Sequence, residues 1–207
     1  MKNICNKFTL VELLIVISII AILASMLLPA LRSVREKANE INCKNNFRQI
    51  GTSAHLYASD YDAFLPPSSN DEFGSNVYWF PALYDRGYLT NKKLVLCVSN
   101  PKGVKDWFAG AGYPRINTNY GNNIMITSNA SSHYQWYKLG SLSYESKVPM
   151  VFEAYQYPYF DCWISESNYA WPHKNRMNVL FLDNHVDDTA MFLGGNLPNN
   201  WKWNYKY

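Results

Sequence analysis

An uncharged apolar segment near the N terminus constrains this chain more than any other feature. From Leu13 to Leu28 the segment contains no charged residue and only two serines, Ser18 and Ser25. With Leu10 and Val11 added, it approaches the roughly 20 residues that a helix needs to cross a bilayer. The sequence therefore predicts one membrane-spanning helix close to the N terminus.

A single carboxylate, Glu12, falls inside the first turn of this segment. A charged side chain at membrane depth costs roughly 2.5 kcal/mol or more, so an acidic residue there indicates a function. Two interpretations are open. Glu12 can have a function beyond its own helix, or it can complete a capping box with Thr9 at the start of the helix.

The helical pattern continues beyond the apolar segment. After Pro29, apolar residues recur at three- and four-residue steps, as on one face of a helix. We expect Pro29 to kink the helix rather than end it, because the periodicity resumes at once. The sequence thus predicts one helix from Thr9 to about Asp60, whose second half needs a sheet to pack on. The apolar stripe consists of Leu31, Val34, Ala38, Ile41, Ile50, Ala54 and Tyr57.

The remainder of the chain is rich in aromatic residues and turns. Of 10 Phe, 7 Trp and 16 Tyr, only Phe8, Phe47 and Tyr57 precede position 61. Alternating and apolar runs predict short strands and one short helix or turn. An Asp-Asn pair between two apolar runs suits a tight hairpin turn with positive φ. The predicted elements are a helix or turn at 78–88, strands at 94–97, 124–127 and 150–153, and a hairpin of 178–182 and 185–187 around Asp183-Asn184.

Several motifs together resemble those of pilin-like proteins. Lys7 followed by Phe8-Thr-Leu-Val-Glu12 and an aliphatic helix resembles the N-terminal segment of type IV prepilins and type II secretion pseudopilins. The motifs at 43–51 and 120–123, with His173-x9-Asp183, are similar to the pseudopilin-like family of planctomycete- and lentisphaera-type bacteria whose signature is H-X9-DG. Asn184 stands where that family has Gly, and Lys7 where the leader usually ends in Gly.

This resemblance implies an α+β, pilin-like fold, with a long N-terminal helix packed on a small antiparallel β-sheet head. It divides the chain into a leader at 1–7, a transmembrane or filament-core helix at 8–30, an amphipathic half at 31–62 and a globular, β-rich head at 63–207. It further implies cleavage between Lys7 and Phe8 by a prepilin peptidase, methylation of the new N terminus at Phe8, and a role for Glu12 in assembly.

The function implied is that of a structural subunit, a pseudopilin or minor pilin, and not of an enzyme. Its partners would be other pilin subunits, met through the N-terminal helix, and an inner-membrane assembly platform with its ATPase. The product would be a type II secretion or type IV pilus-like filament. Lys2 and Lys7 place the N terminus in the cytoplasm and hence the head in the periplasm, and at the cell surface after assembly.

An alternative function is ligand binding by a membrane-anchored or filament-tip protein. Aromatic faces near amides bind sugars or partner proteins, and the C-terminal tail offers Trp201, Trp203, Tyr205 and Tyr207. A net charge of +3 gives no electrostatic basis for nucleic-acid binding by the whole protein.

The cysteines predict a disulfide. Cys43, Cys97 and Cys162 fall in the part expected outside the cytoplasm, where disulfides persist. Cys43 lies near the apolar stripe and Cys97 ends an apolar run that can pack there, so we predict a Cys43–Cys97 bond. Two separate buried thiols are the alternative. The cysteines show no C-x-x-C spacing, and the sequence therefore predicts no zinc site.

The His173–Asp183 region is interpreted as a structural hairpin formed with Asn184. Asp183 is expected to be the first turn residue, and His173 a polar residue that bonds to the hairpin. A cation site is the alternative, because His185 and two more aspartates lie nearby and related pseudopilins hold calcium in a C-terminal loop. The spacing is not that of an EF-hand loop, so we predict no cofactor, with calcium in the head as the weaker possibility.

Overall fold

The structure, a computed structural model, describes residues 9–67, 79–100, 120–123, 138–154, 159–160 and 169–190. The helices are α1 (Leu10–Asp60) and α2 (Trp79–Asp85), and two 3₁₀ helices span Lys92–Val95 and Glu145–Lys147. The strands are β1 (Tyr120–Asn123), β2 (Pro149–Glu153), β3 (Tyr159–Phe160), β4 (Arg176–Phe181) and β5 (Val186–Ala190). The contacts divide the chain into two compact units, Met1–Ala38 and Asn39–Tyr207.

The first unit contains the apolar half of α1. The helix runs through Pro29 without a break, as the periodicity predicts, and its buried residues begin only at Cys43. Within the described residues, α1 is the one helix long and apolar enough to cross a membrane, judged by length and composition. The expectation of one continuous helix with a segment able to span a bilayer is therefore confirmed.

The second unit is built on a five-stranded sheet in the order β3-β1-β2-β4-β5. The pairs β1/β2, β2/β4 and β4/β5 are antiparallel, and the short β3 lies parallel to β1. Together with the long helix, this sheet confirms the α+β class and the pilin-like layout. The predicted strand at 150–153 corresponds to β2, and the predicted helix or turn at 78–88 contains α2.

The sheet buries apolar side chains on both faces, because successive residues of a strand point to opposite sides. On one face, Val151 and Leu180 share a cluster with Phe47, Ile50 and Tyr57 of α1. The other face carries a smaller cluster of Phe152, Ala154, Tyr169, Met177, Val179 and Phe181. The outer half of α1 is thus an integral part of the core of the second unit.

The apolar stripe of α1 is covered over only part of its predicted length. Ile50 and Ala54 are buried, whereas Leu31, Val34 and Ile41 are exposed. The sheet therefore covers the stripe from Cys43 onward and not from Leu31.

The predicted strand at 94–97 is wrong, because this region contains the 3₁₀ helix Lys92–Val95. Asn91 favours the helical turn, since its side chain accepts a hydrogen bond from the Lys93 backbone N–H at 3.0 Å. Val95 and Cys97 are buried while Leu96 is exposed, so alternate residues of the run face the core although Lys92–Val95 form a helical turn. The predicted strand at 124–127 lies outside the described residues, just after β1.

Candidate functional site

Thr9 and Glu12 form a capping box at the N terminus of α1. Glu12 Oε2 accepts hydrogen bonds from the backbone N–H and the Oγ1 of Thr9, both at 2.8 Å. Thr9 Oγ1 in turn accepts from the Glu12 backbone N–H at 3.2 Å. Among the described residues, Glu12 Oε1 accepts no hydrogen bond. The box therefore occupies one carboxylate oxygen and leaves the other available for an additional donor.

The following turns of α1 expose large apolar side chains on every side. The two serines do not interrupt this surface, because Ser18 Oγ donates to the Leu14 carbonyl and Ser25 Oγ to the Ile22 carbonyl, each at 2.7 Å. Hydroxyls that are satisfied within their own helix are compatible with lipid. The exposed residues are Leu10, Val11, Leu13, Leu14, Ile15, Val16, Ile17, Ile19, Ile20, Ile22, Leu23, Met26, Leu27, Leu28, Leu31 and Val34.

Several residues singled out by the sequence lie outside the described residues. They include the predicted cleavage and methylation positions, the last cysteine of the chain and the aromatic tail. These residues are Lys2, Lys7, Phe8, Cys162, Trp201, Trp203, Tyr205 and Tyr207.

Inside the second unit, four ionisable side chains meet in the core. Cys43 comes from α1, Cys97 follows the first 3₁₀ helix, Glu153 ends β2 and His173 precedes β4. All four are buried, and their candidate ligand atoms lie within 4.8 Å of one another. The Sγ atoms are 2.9 Å apart, Cys97 Sγ is 3.5 Å from His173 Nε2, and His173 Nε2 is 2.8 Å from Glu153 Oε1. We call these residues the Cys-Glu-His cluster.

Local backbone structure fixes the carboxylate and the imidazole. Glu153 Oε2 accepts a hydrogen bond from the Asn178 backbone N–H of β4 at 2.8 Å, which directs Oε1 towards His173. The backbones of His173 and Arg176 exchange hydrogen bonds of 3.0 and 3.2 Å. This tight turn places Lys174 and Asn175 at φ values of 54° and 61°. The turn is what aims the His173 ring into the core.

Burial and mutual contacts shift the pKa values of the cluster. The hydrogen bond with Cys97 lowers the pKa of Cys43 to about 5, while the same bond, with burial, raises the pKa of Cys97. Burial also raises the pKa of Glu153, although His173 opposes this shift. Burial alone would lower the pKa of His173, but hydrogen bonds with Cys43 and Glu153 raise it to about 9. The mutual contacts thus shift the four pKa values in opposite directions, downward for Cys43 and upward for Cys97, Glu153 and His173.

The cluster bears on two sequence predictions. Cys43 and Cys97 are both thiols in the structure, with sulfur atoms farther apart than the roughly 2.05 Å of a disulfide bond. The disulfide therefore stays a prediction from the sequence alone. The residue types required for a metal site converge here although the sequence lacks a C-x-x-C motif. The spacing of these residues in the sequence could not reveal the cluster, because the four side chains meet only when their elements are packed together.

His173 and Asp183 take part in different contacts. The His173 ring faces Glu153 and Cys97, whereas the Asp183 carboxylate accepts from the His185 backbone N–H at 3.2 Å and pairs with its Nδ1 at 2.5 Å. Asp183 and Asn184 lie in the turn between β4 and β5, with Asn184 at a φ of 67°. The structure therefore places Asp183 and Asn184 at the hairpin, and the His173 ring in the core.

Residues 32–85 match the sequence profile of a family described as "Protein of unknown function (DUF1559)". This is the pilin-like family with the H-X9-DG signature. The match covers about a quarter of the chain, from the middle of α1 through α2, and includes Cys43. Searches among curated proteins and among solved structures gave no match.

Proposed function

We propose that this protein is a structural subunit, a pseudopilin or minor pilin, of a type IV pilus-like or type II secretion filament. One observation carries the proposal: the first half of α1 exposes apolar side chains on all sides and contains one carboxylate, Glu12. The similarity of residues 32–85 to a pilin-like family supports it.

An all-round apolar helix needs an apolar environment. Before assembly the lipid bilayer would supply it, which makes the protein a single-pass inner-membrane protein with its head in the periplasm. After extraction from the bilayer, only other apolar helices could replace the lipid. Copies of the same segment, packed together in a filament core, meet this requirement. An inner-membrane platform and its ATPase would drive the transfer.

In this proposal Glu12 recognises the neighbouring subunit. Cleavage after Lys7 by a prepilin peptidase would create an α-amine on Phe8 at about the depth of Glu12. An ion pair between that amine and Glu12 of a neighbour would relieve the cost of both charges in an apolar environment. Glu12 Oε1 accepts no hydrogen bond among the described residues, so the capping box and the ion pair are compatible.

Two substitutions separate assembly from capping. Glu12→Gln removes the charge but keeps a side chain that completes a capping box. Thr9→Ala removes the hydroxyl of the box, at about 1 kcal/mol of helix stability, but keeps the charge. We expect both variants to reach the membrane fraction at the wild-type level. Sheared filament yield should be lost in Glu12→Gln and retained in Thr9→Ala.

The opposite pattern, filaments from Glu12→Gln but not from Thr9→Ala, would leave Glu12 as a cap only. Mass spectrometry of the same filament fraction should find chains that begin with a methylated Phe8. Chains that begin at Met1 or Lys2 would contradict processing, and with it the ion pair, but not the membrane anchor.

A further inference from the structure

We propose that Cys43, Cys97, Glu153 and His173 form a structural zinc site in the head. The four residues come from four separate elements and converge in the core, with all candidate ligand atoms within 4.8 Å of one another. A zinc ion bound here would connect α1 to β2 and to the segments that precede β1 and β4.

The separations of the donor atoms are close to those of a tetrahedral site. Zinc binds thiolate at about 2.3 Å and imidazole or carboxylate at about 2.0–2.2 Å, which places neighbouring donors roughly 3.3–3.8 Å apart. The observed separations are 2.9 Å between the sulfurs, 3.5 Å from Cys97 to His173 and 2.8 Å from His173 to Glu153. Shifts of about 1 Å or less bring these three pairs into the tetrahedral range.

The donor types select the metal. Thiolates and imidazole together suit zinc, whereas calcium and magnesium require oxygen ligands. The exposed fractions of the four residues are 1%, 4%, 0% and 5%, so no open position faces solvent. A closed set of four protein ligands is typical of a structural site rather than a catalytic one. This site is distinct from the calcium site considered near Asp183.

Neighbouring groups orient the candidate ligands, as groups hydrogen-bonded to the ligands do in known metal sites. The Asn178 backbone N–H holds Glu153 Oε2 and leaves Oε1 on the side of the cluster. The buried Tyr120 side chain lies beside Cys43, where it helps to lower the pKa of the thiol. The Tyr120 ring is fixed against Phe47, with ring centroids 4.4 Å apart.

A disulfide between the two cysteines explains less of this arrangement. It would engage only the sulfur atoms and leave His173 and Glu153 as an ion pair with side chains only 2% and 0% exposed. A buried ion pair of this kind rarely stabilises a protein more than apolar residues of the same volume. A zinc ion uses all four side chains, and its charge offsets those of the thiolates and the carboxylate.

The experiment uses the full chain in detergent, purified under nitrogen. Elemental analysis should find one zinc ion per chain. After the metal is stripped with a chelator, titration with zinc sulfate against a chelating dye should restore that ratio and raise the Tm. Cobalt chloride should give a thiolate-to-cobalt charge-transfer band and the visible bands of tetrahedral coordination.

Variants identify the ligands. Cys43→Ser, Glu153→Gln and His173→Gln should lose stoichiometric zinc, whereas His185→Ala, which alters an exposed histidine, should keep it. Tyr120→Phe keeps the ring but removes the hydroxyl beside Cys43, so zinc affinity should fall by roughly 10-fold to 100-fold.

The wild-type protein tests the zinc site even where a variant does not fold. Peptide mapping after rapid alkylation should find Cys43 and Cys97 as thiols. Either of two results would overturn the zinc site. The first is a Cys43–Cys97 disulfide. The second is a reduced protein that binds zinc but lacks the thiolate-to-cobalt band when it is loaded with cobalt. Neither result would affect the proposed filament function, which depends on the N-terminal half of α1.

Discussion

At the scale of single residues, α1 and the β4–β5 turn meet closely at Gly51. A Cβ atom on Gly51 would lie 2.0 Å from Asn184 Oδ1 and 3.0 Å from Leu180 Cδ1. Asn184 has a φ of 67° and occupies the position of Gly in the H-X9-DG signature. Gly51 is thus the residue that makes room for the Asn184 side chain.

We predict that Gly51→Ala lowers the free energy of unfolding by about 1–3 kcal/mol, the usual range for overpacking. Asn184→Gly removes the crowding atom and tolerates the positive φ. The double variant should therefore recover most of the loss, as measured by denaturant unfolding of all four chains of a double-mutant cycle. If Gly51→Ala lowered the free energy of unfolding equally in the wild type and in Asn184→Gly, Asn184 would not be the source of the crowding.

Residue-scale prediction from the sequence succeeded where the signal was local. The Asp183-Asn184 pair indicated a turn with positive φ, and Asn184 has that φ. No local pattern indicates that Asn184 packs on Gly51, because the two residues are distant in the chain. The backbone of His173 bonds to the hairpin at Arg176, but no local pattern indicates that its ring contacts Glu153 in the core.

At the scale of elements, one aspartate connects α1 to the β4–β5 hairpin. Asp188 Oδ1 lies 2.6 Å from Lys44 Nζ, and its Oδ2 pairs with the Arg176 guanidinium. Lys44 also contacts Glu40 at 3.0 Å on its own helix. Burial alone would raise the pKa of Asp188, but hydrogen bonds from Lys44 and Arg176 hold it below its ordinary value of 3.8.

This lowered pKa predicts a pH dependence of stability. The folded state binds the Asp188 proton less readily than the unfolded state, so the stabilisation is complete above about pH 4 and is lost as the pH falls through the folded-state pKa. Asp188→Asn should therefore lower the free energy of unfolding by about 1 kcal/mol at pH 6. The difference from the wild type should shrink towards about pH 2.

Asp187→Asn is the matched control, because Asp187 is the exposed neighbour on the same strand. Its difference from the wild type should stay small over the same pH range. An Asp188→Asn difference that does not change between about pH 6 and pH 2 would contradict a role for the charged carboxylate.

The elements could be predicted from the sequence where their pattern was long. The periodicity of α1 extends over its whole length and gave the correct extent, whereas four apolar residues at 94–97 fit a strand and a 3₁₀ turn equally well. The Cys-Glu-His cluster had no pattern at all. Its contacting residues are 20, 54 and 76 positions apart, so only the packed sheet and helix bring them together.

At the scale of the whole molecule, the two parts of α1 lie in different environments. Its residues before Asn39 belong to a unit in which the large apolar side chains of the helix are exposed, and those after it belong to a unit with a core. The predicted head at 63–207 shares that core with Cys43, Phe47, Ile50 and Tyr57 of the helix. The second unit should therefore need residues 39–60 in order to fold.

We predict that a chain beginning at Asn39 folds without detergent, as a monomer with a cooperative thermal transition, whereas the full chain needs detergent. The physical reason is that every core residue in the described part of the chain lies at Cys43 or beyond, while the exposed apolar surface lies mainly before Ala38. Size-exclusion chromatography and circular dichroism would test this.

In the shortened chain, Phe47→Ala should lower the free energy of unfolding by about 3–5 kcal/mol, because the Phe47 ring is buried. Ile41→Ala, at a half-exposed position, should stay within about 0.5 kcal/mol of the parent. A shortened chain that aggregates or melts without cooperativity, while the full chain in detergent melts cooperatively, would show that the first half of α1 is needed for the fold of the head.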